Sequence, residues 1–591
     1  MLERIRARRA WGVSVLCVSA AVVLMVILGS AGGGVAGAQS GPLVAASAKL
    51  APDSPTIPAK QTCASIAQLT ALAGLPHYPT AIASATVVPA SSPGTTPANP
   101  AYCDVKGMIA PQTHFDLQLP VSTWQGRYLQ NGCGGYCGTV SNQTFPSCDA
   151  TLGGDFAMAT DDEGHVTAAG LGGAGLFAFN DQQLRNEYGY ESEQALYVVA
   201  RYIINYYYGQ WPNRSYYNGC SDGGREAMEM AERYPDDFDG IIAGAPEIIA
   251  GPLNAEFQTW QYRVNVDASG NAILTAAQLP ILHQTVINQC QGDDGVAGDG
   301  IITDPRSCHP DLTKVQCGTV APPNCLAPAQ IAVAEKIYAG PTDPQGRRLY
   351  PGGLPYGSEL SWAFFVVPVA PGPATNALVY SGLSLPYLRY QLLAPGQLGP
   401  DPSQWKFDDA GFRSMFPVAN TWDAMDTNLT AFRRHGGKLL LWEGWADQAI
   451  PPFGTVDYYD TLAQRMGGLS STEQFARLFL LPTVAHCGGG YGSASFDFVL
   501  PMVQWVEQGS APSEVDWSGT VAGTSLSRPA YPYPEIPQYD GGGADPTKAT
   551  SFHAVRSPDA DQYTNWIGNY LFYEPVGRDG GRWDGGHARR G

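Results

Sequence analysis

Ser221 and His486 stand 265 positions apart, and each has a cysteine as its neighbour: Cys220 precedes the serine and Cys487 follows the histidine. Few folds bring two such distant points together at one site, so this pairing constrains the chain more than any other feature. Ser221 lies in Gly219-Cys220-Ser221-Asp222-Gly223. That is the G-x-S-x-G spacing of a nucleophile elbow, a strand-to-helix turn too tight for side chains on either flank. Ser215-Tyr216-Tyr217-Asn218 before it predicts a strand, and Arg225 to Ala231 after it predicts a helix. If Ser221 takes His486 as its base, the two backbones must meet. A Cys220–Cys487 disulfide would fix that approach covalently, closing a loop whose chain-entropy contribution is at most on the order of 5 kcal/mol.

A serine–histidine pair of this kind needs an acid to orient the imidazole. Leu439-Leu440-Leu441-Trp442 is an apolar run with the length of a buried strand. Asp447 follows its end by a few residues, where open α/β sheets carry functional groups. Glu443 is the competing acid, closer to the strand end. Arg477 to Pro482 predicts a further buried strand, with His486 on the loop beyond it. The chain order Ser221, Asp447, His486 is that of the α/β-hydrolases. Arg127 to Gln130 predicts an earlier strand entering Asn131-Gly132-Cys133-Gly134-Gly135-Tyr136-Cys137-Gly138. Such a loop is expected to supply oxyanion-hole amides from Gly134 and Gly135, with Asp222, the residue after the nucleophile, supplying the other.

Compartment follows from the ends and the cysteines. An arginine-rich start, an apolar run from Trp11 to Ile27 and the triplet Ala36-Gly37-Ala38 read as a secretory signal over residues 1–38. An uncleaved anchor is the alternative, because the apolar run is long. Twelve cysteines in an exported chain imply a disulfide framework. The formal net charge of −19 disfavours nucleic acid and anionic membranes as partners. Only 15% of residues are charged, while Gly (69) and Pro (47) abound, which favours a loop-rich fold over a helical bundle.

These stretches resemble the tannase and feruloyl esterase family of serine esterases, whose signature is a catalytic Ser preceded by Cys and a catalytic His followed by Cys. The likeness runs through Tyr216 to Arg225, Tyr234 to Ile241, Ala243-Gly244-Ala245-Pro246, Gly444 to Asp447, Ala485 to Gly490, Ser527-Arg528-Pro529 and Tyr533-Pro534. It implies an α/β-hydrolase core over residues 61–250 and 426–554, interrupted by a lid insertion over 251–425. A flexible linker at 39–60 and a partly disordered tail at 555–591 lie outside it. It implies the disulfides Cys63–Cys103, Cys220–Cys487, Cys290–Cys308 and Cys317–Cys325. Cys133, Cys137 and Cys148 are left over, and a bond from Cys148 to one of the other two is the easiest to imagine. A further family bridge has Tyr531 and Ala554 in its place.

The loop Cys290 to Ile301 is rich in Asp and Gly, as a Ca²⁺ site requires, but it does not have EF-hand spacing. It resembles the family's lid calcium loop, with Asp294, Val296, Asp299 and Ile301 as matching ligands. Gln291 stands where the first Asp is expected, and Asp293 is the residue that can replace it. The resemblance implies a small aromatic ester as substrate, of galloyl, feruloyl or terephthaloyl type, and no organic cofactor. Arg389 is a candidate for the substrate's carboxylate or phenol, with a structural ion pair as its alternative. The expected protein is a secreted serine carboxylesterase, extracellular or periplasmic, free of the membrane once the signal is removed. An amidase or peptidase on the same fold, or a non-catalytic binding protein on that scaffold, are the rival readings.

Overall fold

In the computed structural model the described residues are 55–91, 100–140, 154–167, 174–562 and 564–575. The expected signal, most of the linker and Cys148 lie outside them. A nine-stranded sheet forms the centre, in the order β1-β2-β3-β5-β4-β6-β7-β8-β9. Its strands are β1 (Thr80–Val88), β2 (Tyr102–Ile109), β3 (Thr113–Pro120), β4 (Arg127–Asn131), β5 (Phe156–Asp161), β6 (Arg214–Cys220), β7 (Gly240–Gly244), β8 (Lys438–Gly444) and β9 (Ala476–Leu481). The first three pair antiparallel, and β3 meets β5 antiparallel. From β5 across to β9 every pairing is parallel. This is an α/β-hydrolase architecture, and its parallel strands read as near-continuous apolar runs because helices cover both faces.

In β8 the alternation is visible residue by residue. Leu439 and Leu441 enter one buried cluster, which includes the helices Ser192–Tyr208 and Pro452–Arg465. Leu440 and Trp442 enter the other, with the helix Val499–Gln508 and Trp517. The strands expected before Ser221, at Leu439 and at Arg477, and the helix expected after Ser221, are all present.

The expected insertion, residues 251–425, lies between β7 and β8. It contributes no strand to the central sheet and packs into the same compact unit as that sheet. The four disulfides implied by the resemblance are formed. The leftover cysteines depart from expectation: Cys133 bonds Cys137, not Cys148. The intervening turn, with Gly135 and Cys137 both at positive φ, brings their Cα atoms to 5.6 Å. Where the family bridge has Tyr531 and Ala554, the Tyr531 hydroxyl donates instead to the Phe552 carbonyl at 3.1 Å, tying the same two segments.

The tail is better anchored than its composition suggests. Trp566 and Phe572 are buried, and Trp566 Nε1 donates to Asp457 at 2.8 Å. A few apolar side chains dock this otherwise polar segment; residues 576–591 lie outside the described residues. No helix among the described residues is long and apolar enough to cross a membrane.

Candidate active site

The nucleophile position is built by β6 and the helix Asp222–Arg233 that follows it. Ser221 sits between them at φ 70° and ψ −124°, a conformation nearly confined to glycine, which costs on the order of 1–3 kcal/mol. Flanking glycines make the turn possible. A Cβ on Gly219 would lie 2.1 Å from the Gly223 carbonyl oxygen, and one on Gly224 would lie 2.4 Å from that of Gly244. The Ser221 N–H donates to Gly244 at the end of β7, 3.0 Å away.

The three residues expected to act together are in register. Ser221 Oγ is 2.8 Å from His486 Nε2, and His486 Nδ1 is 2.7 Å from Asp447 Oδ2. Asp447 is fully buried, and its other oxygen accepts from the N–H groups of Ala449 and Ile450. Such an arrangement orients an imidazole, stabilises its charged form and lets it take a proton from the serine. The Cys220–Cys487 bond, with Cα atoms 5.8 Å apart, clamps the two flanks together.

Glu443, the rival acid, lies beneath this chain. It accepts from Thr455 Oγ1 at 2.9 Å and shares a hydrogen bond with Asp447. Burial first, then the charge of Asp447, pushes its carboxyl well above the usual range. Its hydrogen bond braces Asp447 from behind.

On the other side, the loop after β4 is tied to the nucleophile's helix. Gly223 N–H donates to the Cys133 carbonyl at 3.0 Å, and Cys133 N–H donates to Glu226 at 3.3 Å. The amides of Gly132, Cys137 and Gly138 also have protein acceptors. Among the described residues, those of Gly134, Gly135 and Asp222 have none. These are the amides expected to receive an oxyanion, and Gly134 is exposed with open space at its Cβ position. His165 braces the loop from below, its Nε2 2.7 Å from the Tyr136 carbonyl.

A buried acidic layer under this loop is the feature that the sequence reading missed. Asp222 pairs with Arg225 Nε at 2.6 Å and accepts from the Tyr188 hydroxyl at 3.1 Å. Glu226 accepts from Tyr217 at 2.6 Å, and its other oxygen lies 2.9 Å from Cys133 Sγ. A disulfide sulfur carries no proton, so the proton in that contact belongs to Glu226, whose carboxyl burial holds well above the ordinary range. Burial acts likewise on Glu163 and Glu193. Cys133, Cys137, Glu163, Asp222 and Glu226 have candidate ligand atoms within 4.8 Å of one another. With both sulfurs in a disulfide and Asp222 already paired with Arg225, the cluster is a poor host for a cation. The signals were present in Asp162-Glu163-Gly164-His165 and in the acids of the post-elbow helix, but nothing in sequence links the two.

The calcium loop is only partly gathered. Arg528 lies between Asp299 Oδ2, at 2.9 Å from its Nη2, and Asp294 Oδ2, at 3.5 Å from its Nε. Asp294 Oδ2 is buried with no hydrogen-bond partner, the kind of oxygen a hard cation takes up. Asp293, the residue that can replace the first Asp, accepts from Thr303 and Asp304 N–H. The Ile301 carbonyl accepts from Gly292 at 3.3 Å, and Val296 N–H is held by Asp294. The residues that fit a cation are thus Asp294 and Asp299, with backbone oxygens of Val296 and Ile301. The described side-chain contact of Arg389 lies within the insertion. Its Nη1 donates to the Gly399 carbonyl at 3.0 Å within the insertion, and no described contact joins it to Ser221, His486 or Asp447.

Residues 99–555 match the family described as "Tannase and feruloyl esterase". The mono(2-hydroxyethyl) terephthalate hydrolase of Piscinibacter sakaiensis is 31% identical over 514 residues, covering 76% of this chain and 84% of that one. A probable feruloyl esterase B-2 of Neosartorya fischeri is 28% identical over 496 residues, covering 77% and 89%. The crystal structure of feruloyl esterase B from Aspergillus oryzae superposes with a TM-score of 0.68 at 25% identity, covering 84% of this chain and all of that one.

Proposed function

The chain belongs to the tannase and feruloyl esterase family and is a carboxylic ester hydrolase, and we propose that it cleaves esters of aromatic acids by a serine mechanism, as an exported enzyme. Ser221 attacks the ester carbonyl while His486 Nε2 takes its proton. Asp447 keeps the imidazole in the tautomer with Nδ1–H and stabilises its positive charge. The amides of Gly134, Gly135 and Asp222 receive the oxyanion; each such donor contributes roughly 3 kcal/mol to the transition state. His486 returns the proton to the departing alcohol, and an acyl-enzyme on Ser221 is released by water activated at the same imidazole. The insertion 251–425 acts as the lid that shapes the acyl pocket and excludes water.

The observation that carries this reading is the unbroken chain of short contacts from Asp447 through His486 to Ser221. Aromatic acids are favoured because the relatives' names specify feruloyl and terephthalate esters. Export is supported by the five disulfides, which persist in oxidising compartments. A calcium ion at Asp294, Asp299 and the carbonyls of Val296 and Ile301 is a second part of the proposal, with Arg528 as its neighbour.

A serine-directed aryl phosphonate tests the mechanism: labelling at Ser221, blocked in Ser221→Ala, is the expected outcome. A panel of methyl gallate, methyl ferulate, a terephthalate monoester and the matching amides then fixes the substrate. Turnover of amides above all esters would replace the esterase reading with an amidase.

A further inference from the structure

The Cys133–Cys137 bond differs from the other four disulfides in span and in exposure. Its cysteines are 4 positions apart, against 8, 18, 40 and 267 for the rest. By chain entropy it therefore contributes least to holding the fold. Each other bridge has at least one buried cysteine, whereas Cys133 and Cys137 are both half-buried, within reach of small solutes. Global stability is thus the smallest of its effects, and its local effect depends on what it encloses.

The ring it closes contains Gly134 and Gly135, the two glycines whose amides have no protein acceptor. One end of the ring is tied to the nucleophile's helix: the Cys133 carbonyl accepts from Gly223 N–H at 3.0 Å. At the other end the Cys137 carbonyl accepts from Thr167 Oγ1 at 3.2 Å. Inside it, Cys137 N–H donates to the Gly134 carbonyl at 3.1 Å. Two successive glycines do little by themselves to fix φ and ψ, so ring closure limits where their N–H groups point. The surroundings of the sulfurs favour opening. Cys137 Sγ lies 3.3 Å from Oδ2 of Asp222, the ion-pair partner of Arg225, and Cys133 Sγ lies 2.9 Å from Glu226. While the bond is intact neither sulfur has a hydrogen to offer. Once it opens, the Cys137 thiol has Asp222 as an acceptor already in place. Accessible disulfides whose reduced form is stabilised are the readily reduced ones.

We propose that the Cys133–Cys137 disulfide positions the oxyanion amides of Gly134 and Gly135, and that small thiols open it reversibly and so lower turnover. This rests on the esterase reading above and adds a redox control to it. One thiolate of a dithiol attacks a sulfur of the bond. The S–S bond breaks as a mixed disulfide forms, and the other sulfur leaves as a thiolate and takes a proton from water. The second thiolate of the dithiol then attacks the mixed disulfide, releases the second cysteine and closes a cyclic disulfide. Two electrons pass from the dithiol to the cysteines, and the two protons it gives up match the two they gain. A small disulfide reverses both steps.

The test exposes the full chain to graded dithiothreitol, alkylates the freed thiols and maps them by mass spectrometry, with kcat and KM for the best ester of the panel read in parallel. Cys133 and Cys137 should be alkylated before the cysteines of the other four bridges. Over that range kcat should fall roughly tenfold, short of the ~10²–10³-fold cost of losing an oxyanion donor outright, with KM kept. Oxidised glutathione should restore it. The inhibition constant of an aryl trifluoromethyl ketone, whose adduct on Ser221 carries the oxyanion, should rise by the same factor; general loosening of the fold would not link the two at constant KM. Cys133→Ser/Cys137→Ser, with hydroxyls where the thiols would stand, should have the lowered kcat from the outset and not respond to the same dithiothreitol, thermal melting establishing that it is folded. Another bridge opening first, full kcat in the reduced pair, or a folded double variant with wild-type turnover would overturn the inference. So would mapping of the unreduced protein that joins either cysteine to Cys148. No Ser221-dependent activity in untreated wild type would instead refute the esterase reading, and this inference would fall with it.

Discussion

Replacing Cys220 and Cys487 together by alanine should cost turnover far more than it costs folded structure at moderate temperature. The bond closes a separation of 267 residues. Chain entropy alone assigns it about 5 kcal/mol as an upper figure, affordable for a domain with four other bridges. Its local effect is larger for function. Ser221 is anchored independently, by its place at the end of β6 and by Gly244. The His486 backbone is held less directly: its N–H meets Gln448 only at 3.4 Å, and Gly488, Gly489 and Gly490, all at positive φ, follow it. Cys487 itself has φ 58°, strain that the loop can release once the bond is gone. A shift of about 1 Å in the base lowers turnover by ~10²-fold, or about 2.7 kcal/mol. Turnover per active site, titrated with a phosphonate, should therefore fall by roughly that factor while the melting curve retains a folded baseline. A folded double mutant with wild-type turnover, or peptide mapping that finds either cysteine free in the unreduced protein, would refute the reasoning.

Ser221→Ala should reduce ester hydrolysis to below about one per cent of wild type with the melting temperature unchanged; retained turnover above that removes Ser221 as nucleophile. Asp447→Asn should cost up to ~10⁴-fold in kcat by favouring the wrong imidazole tautomer. Glu443→Gln should cost far less, because a neutral amide still donates to Asp447; the reverse order in steady-state kinetics would make Glu443 the orienting acid. Asp294→Ala and Asp299→Ala should each lower the melting temperature with little change in kcat. For wild type, elemental analysis should find calcium and EDTA should lower the melting temperature. Absence of both effects would leave Arg528 as that loop's only cation.

The core of the site was legible because its parts are local. Strand, elbow and helix around Ser221 each span a few residues with their own apolar period. Asp447 and His486 each follow a short buried strand, where a parallel sheet places its loops. What could not be read depends on contacts between distant segments. Cys133 finds Cys137 because the turn bends through left-handed backbone at Gly135 and at Cys137 itself, a property of the loop's conformation and not of cysteine spacing. That the Asp293 oxygens also accept from the backbone of Thr303 and Asp304 could not be read from the loop's own sequence. Arg389 lies in a turn whose Gly399 carbonyl captures it. The tail read as polar and loose, yet Trp566 and Phe572 suffice to dock it.

The buried acids also explain how one carboxyl can serve His486 amid so many. Glu163, Glu193, Glu226 and Glu443 are all held well above the usual carboxyl range by burial, and Glu247 is raised to about 8. Were they ionised together, their repulsion could not be balanced by Arg225, the one guanidinium in direct contact with Asp222 beside the elbow. Two of them meet groups of the site directly: Glu226 the disulfide under the oxyanion loop and Glu443 the Asp447 carboxylate. Asp447 differs in having N–H groups aimed at it, from Ala449, Ile450 and His486. The fold thus sorts its acids by their donors. The acids with fewer N–H partners are those that burial raises, and they stiffen the scaffold; Asp447, with three, is placed to act on the imidazole.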